Sequence, residues 1–268
     1  MLKLPVKPKI DLAFKKIFSE NEQILKALIA VILNIPIESI KNMQLGNTEI
    51  LPQNLDSNFC RLDLKVTMDN RIIDIEIQLS NQGNFQNRAL YYWSKLFSGS
   101  LDKGSRFREL PEAIVISFID FDLFSCSSYH SHFVLKEVTR NELLTDKLSI
   151  HFFELNKLPR EVDKNNQLES WLKLIGAETY EELLDLEGSE FSEFKEALTY
   201  VKNLNSDDKF KARLDMYEDA LLNERSALSY AEDKGMEIER DRMINSMKKS
   251  GLDEATIRKV LDFREEGN

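Results

Sequence analysis

From Asp11 onward, Phe14, Ile17, Phe18, Ile24, Leu25, Leu28, Ile29 and Ile32 recur at helical spacing. The pattern predicts one helix from Asp11, placed to cap it, to about Leu33, ended by Asn34-Ile35-Pro36. Residues 40–51 read as a strand or loop-strand. Two segments then alternate apolar and polar residues, 60–67 (CRLDLKVT) and 72–79 (IIDIEIQL), the period-2 signature of half-buried strands. Asp69-Asn70 between them tolerates the left-handed conformation of a tight hairpin turn. With those two as the loop, Met68 faces Arg71. The same register sets Asp63 opposite Glu76, Lys65 opposite Asp74 and Arg61 opposite Gln78 on one face. Leu62, Leu64 and Val66 share the other face with Ile73, Ile75 and Ile77.

Gly83 precedes a helix over 85–101, with Phe85, Ala89, Tyr92, Trp93 and Leu96 on one side, ending near Gly99 to Gly104. Residues 113–119 (AIVISFI) are almost continuously apolar, as expected of a central strand covered on both faces. Further strands are expected at 132–138 and 149–155. The order describes an α/β domain, a mixed sheet flanked by helices, over residues 1–160. Beyond Pro159 come helical segments at 167–176, 178–186, 190–203, 207–233, 236–249 and 253–265, a helical extension spanning 161–268. The charged stretch 207–242 reads as a solvated arm or an oligomerisation element.

The net charge of −10 argues at first against a nucleic-acid partner, but its distribution is uneven. Residues 1–110 hold 15 Lys/Arg against 12 Asp/Glu, and residues 111–268 hold 21 against 34. A phosphate backbone responds to local charge, so the segment bearing the hairpin is compatible with DNA. No apolar run reaches the ~18–20 residues of a membrane span. The N-terminal residues lack the apolar core of a secretory signal, and Cys60 and Cys126 have no metal-binding spacing. A cytoplasmic protein with no membrane partner is the expectation.

The chemistry centres on Asp63 and Glu76. Opposed residues on paired strands have Cβ atoms about 4.5–5.5 Å apart, and like charges there are destabilising. A divalent cation between the carboxylates removes that cost; a solvated face with Lys65 and Asp74 paired is the competing reading. Asp11 is either a helix cap or a site residue. Lys65 is a cross-strand ion-pair partner or a catalytic ammonium, and Arg88 a phosphate contact or a structural partner. Tyr91, Tyr92, Trp93 and Trp171 fit a core. His130-Ser131-His132 puts two imidazoles on one strand face, a candidate metal pair with no evident third ligand.

The segments KPKIDLAFKKIF (7–18), RLDLK (61–65), DIEIQ (74–78) and FQNRALYYWS (85–94), followed by the 113–119 strand, lie in that order. Together they resemble the recombination-promoting nuclease and transposase family of the PD-(D/E)XK nuclease superfamily. The resemblance spans about residues 3–160, and the Glu- and Lys-rich tail is of the same kind. It implies a restriction-endonuclease-like core and metal-dependent cleavage of DNA linked to recombination. It also implies Mg²⁺ or Mn²⁺ held by Asp63, Glu76 and the carbonyl of Ile77, with Asp11 in an outer shell or at a second metal. Gln78 stands where the superfamily signature has Lys, so Gln78 and Lys65 are expected to position water and phosphate. Arg88 and Arg61 are the expected substrate contacts. A catalytically silent DNA-binding or assembly protein with the same fold is the alternative, and self-association through the helical tail is a further expectation.

Overall fold

The computed structural model describes residues 2–50, 60–81, 83–101, 106–161, 163 and 165–257. The first expected helix is two. Helix α1 (Asp11–Ser19) and α2 (Glu22–Leu33) are divided at Glu20-Asn21. The Asn21 side chain donates to the Ile17 carbonyl at 2.8 Å, giving the backbone an alternative to the helical ladder. Helix α2 ends on Asn34 in the left-handed conformation, its N–H shared between the Ala30 and Val31 carbonyls.

Strands β1 (Met43–Leu45) and β2 (Glu49–Ile50) come next, followed by β3 (Cys60–Arg61), β4 (Leu64–Met68) and β5 (Arg71–Gln78). The β4–β5 register is the expected one: Met68 faces Arg71, Lys65 faces Asp74 and Leu64 faces Ile75. Asp69 takes φ 50° in the turn. The chain leaves β5 at Asp63, however, and Arg61 pairs with Glu49 of β2 rather than with Gln78. Leu62 likewise donates its N–H to the Thr48 carbonyl.

Helix α3 (Phe85–Gly99) crosses to β6 (Glu112–Ile119), followed by β7 (His130–Phe133) and β8 (Leu148–Glu154). The strand expected at 132–138 begins earlier and stops at Phe133; an isolated bridge joins Lys136 to Leu143 beyond it. The six-stranded sheet runs β1-β4-β5-β6-β8-β7. Strands β5, β6 and β8 are mutually parallel, while β4 and β7 are antiparallel to their neighbours. The sheet is mixed, as expected.

Strand β5 is not half-buried. Six of its eight residues, Asp74 and Glu76 among them, are buried, because α3 covers the face that sequence alternation assigns to solvent. Phe85, Ala89 and Leu96 of α3 pack with Val115 and Phe152, and Trp93 donates from Nε1 to the Ala113 carbonyl. Phe14, Phe18, Phe118, Trp171 and Phe194 form a second aromatic cluster.

Helices α4 (Gln167–Gly176), α5 (Tyr180–Asp185) and α6 (Ser192–Ser206) follow. The buried Asn205 of α6 accepts from the Val6 N–H and donates to the Val6 and Val201 carbonyls. One compact unit comprises residues 1–214, beyond the expected end of the core at 160; residues 215–268 form another. The expected helices at 207–233 and 236–249 are one, α7 (Asp208–Lys249), which runs through Gly235. It ends before Gly251, whose φ is 83°. The end of the helix expected at 253–265 lies outside the described residues.

Candidate active site

Asp63 sits where the chain peels away from β5. A continued ladder would have satisfied the N–H groups of both strands; here two carboxylates take that role. Ile77 donates its N–H to Asp63 Oδ2 at 2.9 Å, and Asp63 donates its own to Glu76 Oε1 at 3.0 Å. This reciprocal exchange fixes both acids in one place although Asp63 lies outside the β4–β5 ladder. A strand residue presents its N–H and C=O to the same edge, so the Ile77 carbonyl also faces the Asp63 side.

Helix α1 brings two more charges. Lys15 Nζ lies 2.9 Å from Asp63 Oδ1 and 2.7 Å from Asp11 Oδ1. Asp11 is therefore not the cap, since Ile10 holds that position without a side-chain bond. Gln78 is occupied at both ends of its amide: Oε1 accepts from Arg88 Nη2 at 2.6 Å and Nε2 donates to the Ser80 carbonyl at 3.0 Å. The Arg88 guanidinium lies 4.7 Å from the Phe85 ring centroid and 5.9 Å from that of Tyr92.

The electrostatics follow from burial. Burial pushes the Glu76 carboxyl up to about 8, and the charge of Asp63 adds to the shift. The hydrogen bond from the Asp63 backbone N–H and the charge of Arg88 oppose it. Burial likewise raises Asp63, with Lys15 opposing and Asp11 reinforcing. Burial works against the charge on Lys15, but Asp63 and Asp11 outweigh it and hold the ammonium above its ordinary range.

A half-buried and a buried acid, both pushed toward the neutral form, mark a place short of positive charge. Their oxygens and the Ile77 carbonyl are hard donors of the kind a divalent cation with waters of its own could use. Among the described residues no group of three or more His, Cys, Asp and Glu could hold a metal.

Of the residues expected from sequence, Asp63, Glu76, Ile77, Gln78, Arg88 and Asp11 come together. Lys65 does not. A carbon added at Gly46 would meet the Lys65 stem at 3.4 Å, and among the described residues Lys65 makes no ion pair. Lys65 faces Asp74 in the register, but the ion pair of the competing reading is not made; Asp74 is buried beside Glu76. Arg61 is paired with β2, and its side chain lies outside the described residues.

Sequence reasoning missed Lys15 and the burial of Asp74. The four-residue spacing of Asp11 and Lys15 on one helix was the available signal. The candidate pair His130 and His132 lies beside a third histidine, His151. The rings stack, with centroids 6.4 Å apart. Their nitrogens meet His151 Nδ1 at 3.1 Å and Ser149 Oγ at 2.8 Å.

A family model described as PD-(D/E)XK nuclease family transposase matches residues 8–231. The chain belongs to that family. The match covers the six-stranded sheet and every residue of the site, and the mixed sheet with flanking helices agrees with the PD-(D/E)XK nuclease fold. No curated protein and no solved structure gives a significant match. Membership makes a nuclease or transposase-like function the frame in which Asp63 and Glu76 are read. Among the described residues no helix is long and apolar enough to cross a membrane.

Proposed function

We propose that this PD-(D/E)XK family member is a Mg²⁺-dependent DNA endonuclease whose cleavage serves recombination or transposase-like breakage. The observation that carries the reading is the reciprocal bonding of Asp63 and Glu76, which holds a half-buried and a buried acid together at the end of β5. Asp63, Glu76 and the Ile77 carbonyl would hold Mg²⁺ or Mn²⁺. When bound, the cation supplies an acidified water and neutralises charge gathering on the phosphoryl oxygens.

The chain's own residues do the rest. Arg88, steadied by Gln78 and by the faces of Phe85 and Tyr92, grips a phosphate oxygen of the strand to be cut. Gln78 acts on Arg88 rather than on water. In the hydrolytic step a water oxygen bonds to phosphorus and gives up a proton to solvent, the phosphorus–ester oxygen bond breaks, and the departing sugar oxygen takes a proton from solvent water. The exposed apolar residues of the 215–249 helix, including Leu222, Leu228 and Tyr230, support self-association through that segment.

Incubating supercoiled plasmid with the protein and Mg²⁺ or Mn²⁺ tests the assignment. Wild type is expected to nick, and Asp63→Ala to be inert while keeping its circular dichroism. A fully active Asp63→Ala, or wild type that only retards DNA in a gel, would favour the non-catalytic binding protein.

A further inference from the structure

We propose that Lys15, presented from α1, is the ammonium that holds the scissile phosphate beside Asp63. This assignment rests on the nuclease reading above and names the residue that fills a role Gln78 and Lys65 leave open. Gln78 has both ends of its amide committed, to Arg88 and to the Ser80 carbonyl. Lys65 runs its stem along Gly46. Lys15 is the cation already in place, bonded to Asp63 Oδ1 at 2.9 Å.

Three features make it more than a surface ion pair. The contact with Asp63 joins α1 to the residue just before β4, far apart in sequence, whereas an ordinary helix pair is local. An ammonium has three N–H donors. Asp11 Oδ1 and Asp63 Oδ1 lie within ion-pair distance of it, at 2.7 and 2.9 Å, and both are on the protein side, so the ammonium keeps donor capacity for an anion. The side chain is 29% exposed, so it is fixed from below yet reachable by a DNA backbone. Asp11, one helical turn before it, serves as the positioning residue that keeps the ammonium at the site when Asp63 turns to a metal.

The arrangement has a second consequence. Lys15 and a divalent cation would share the Asp63 carboxylate, and like charges on one carboxylate oppose each other. Removing Lys15 therefore favours the metal while removing the phosphate grip, a split that a purely structural lysine would not produce.

The test uses the full chain as wild type, Lys15→Met, Lys15→Gln and Lys15→Cys, with folding checked by circular dichroism. Mn²⁺ affinity is read from the electron paramagnetic resonance signal of the free ion, and activity from plasmid nicking at saturating Mn²⁺. Nicking by Lys15→Met and Lys15→Gln is expected to fall about 100-fold or more, with Mn²⁺ bound as tightly as in wild type or more tightly. Lys15→Cys treated with 2-bromoethylamine, which rebuilds a lysine-like ammonium, is expected to recover most of the loss; identically treated wild type controls for Cys60 and Cys126.

Nicking by both variants within about threefold of wild type would overturn the Lys15 assignment and leave the nuclease reading standing. Loss of Mn²⁺ binding together with nicking would overturn it too, since the lysine would then only shape the site. Wild type that neither binds Mn²⁺ nor nicks would sink both readings together.

Discussion

Gln78 is the residue at which this chain departs from the nuclease signature, and its two hydrogen bonds account for the departure. Its carbonyl oxygen holds Arg88, so a lysine there would lose an acceptor and set two cations side by side. Gln78→Lys is accordingly expected to cost about 1 kcal/mol of stability in urea unfolding and to lower nicking. Gln78→Glu retains the acceptor and is expected to stay close to wild-type stability. A gain of activity in Gln78→Lys would mean that the Arg88 contact is dispensable. The acidic pair was legible in the sequence as far as a two-residue turn and a period of two carry the register, to Leu64 and Ile75; the last step, where Asp63 leaves the ladder, is made by the N–H groups of Asp63 and Ile77. Lys15 was not, since no local pattern brings a helix onto the start of a strand. Asp74 misled for a related reason: alternation marks it as polar, but α3 decides whether that face meets solvent.

At the scale of elements, β7 and β8 collect all three histidines of the chain. His130 Nε2 meets His151 Nδ1, and Ser149 Oγ lies between His132 Nε2 and His151 Nε2. Burial, reinforced by the neighbouring imidazoles, lowers His151 from 6.5 to about 3; burial lowers His130 and His132 as well. The charges facing this group are Glu112 of β6, which opposes the shift at His132, and Arg71 of β5, bonded to Glu112 at 2.8 Å. Each histidine takes up its proton less readily in the fold than in the unfolded chain. The stability this gives is present above pH 6.5 and is lost as pH falls, for His151 down to about 3. Acidification from pH 6.5 to 5 is expected to cost about 2 kcal/mol through His151 alone. Thermal melts across that range should show a shallower decline for His151→Phe; identical slopes would contradict it. Asn205→Ala leaves the Val6 N–H and carbonyl without their partner and is expected to cost about 1–3 kcal/mol in the same melts. The strands and most helices were legible from periodicity, whereas the break at Asn21 was not. The apolar spacing continues across it, and the interruption comes from one side-chain amide bonded to a backbone carbonyl.

For the molecule as a whole, the first compact unit reaches Leu214, because α4, α5 and α6 bury Trp171, Leu183 and Phe194 within it. A chain truncated after Leu214 is expected to melt within about 4 °C of full length and to elute as a monomer. Full-length protein is expected to show a larger mass by light scattering, and equal monomeric masses would remove the role given to the tail. The composition hid this division, since amphipathic helices at 167–206 and the charged helix beyond share the same Glu- and Lys-rich texture. Every proposed step needs Asp63 and Glu76 to hold one cation together. Isothermal titration of Mn²⁺ into metal-free wild type, Asp63→Asn and Glu76→Gln measures this directly. The prediction is a saturable site in wild type and binding at least about tenfold weaker in each variant. Indistinguishable binding curves for all three proteins would contradict the account.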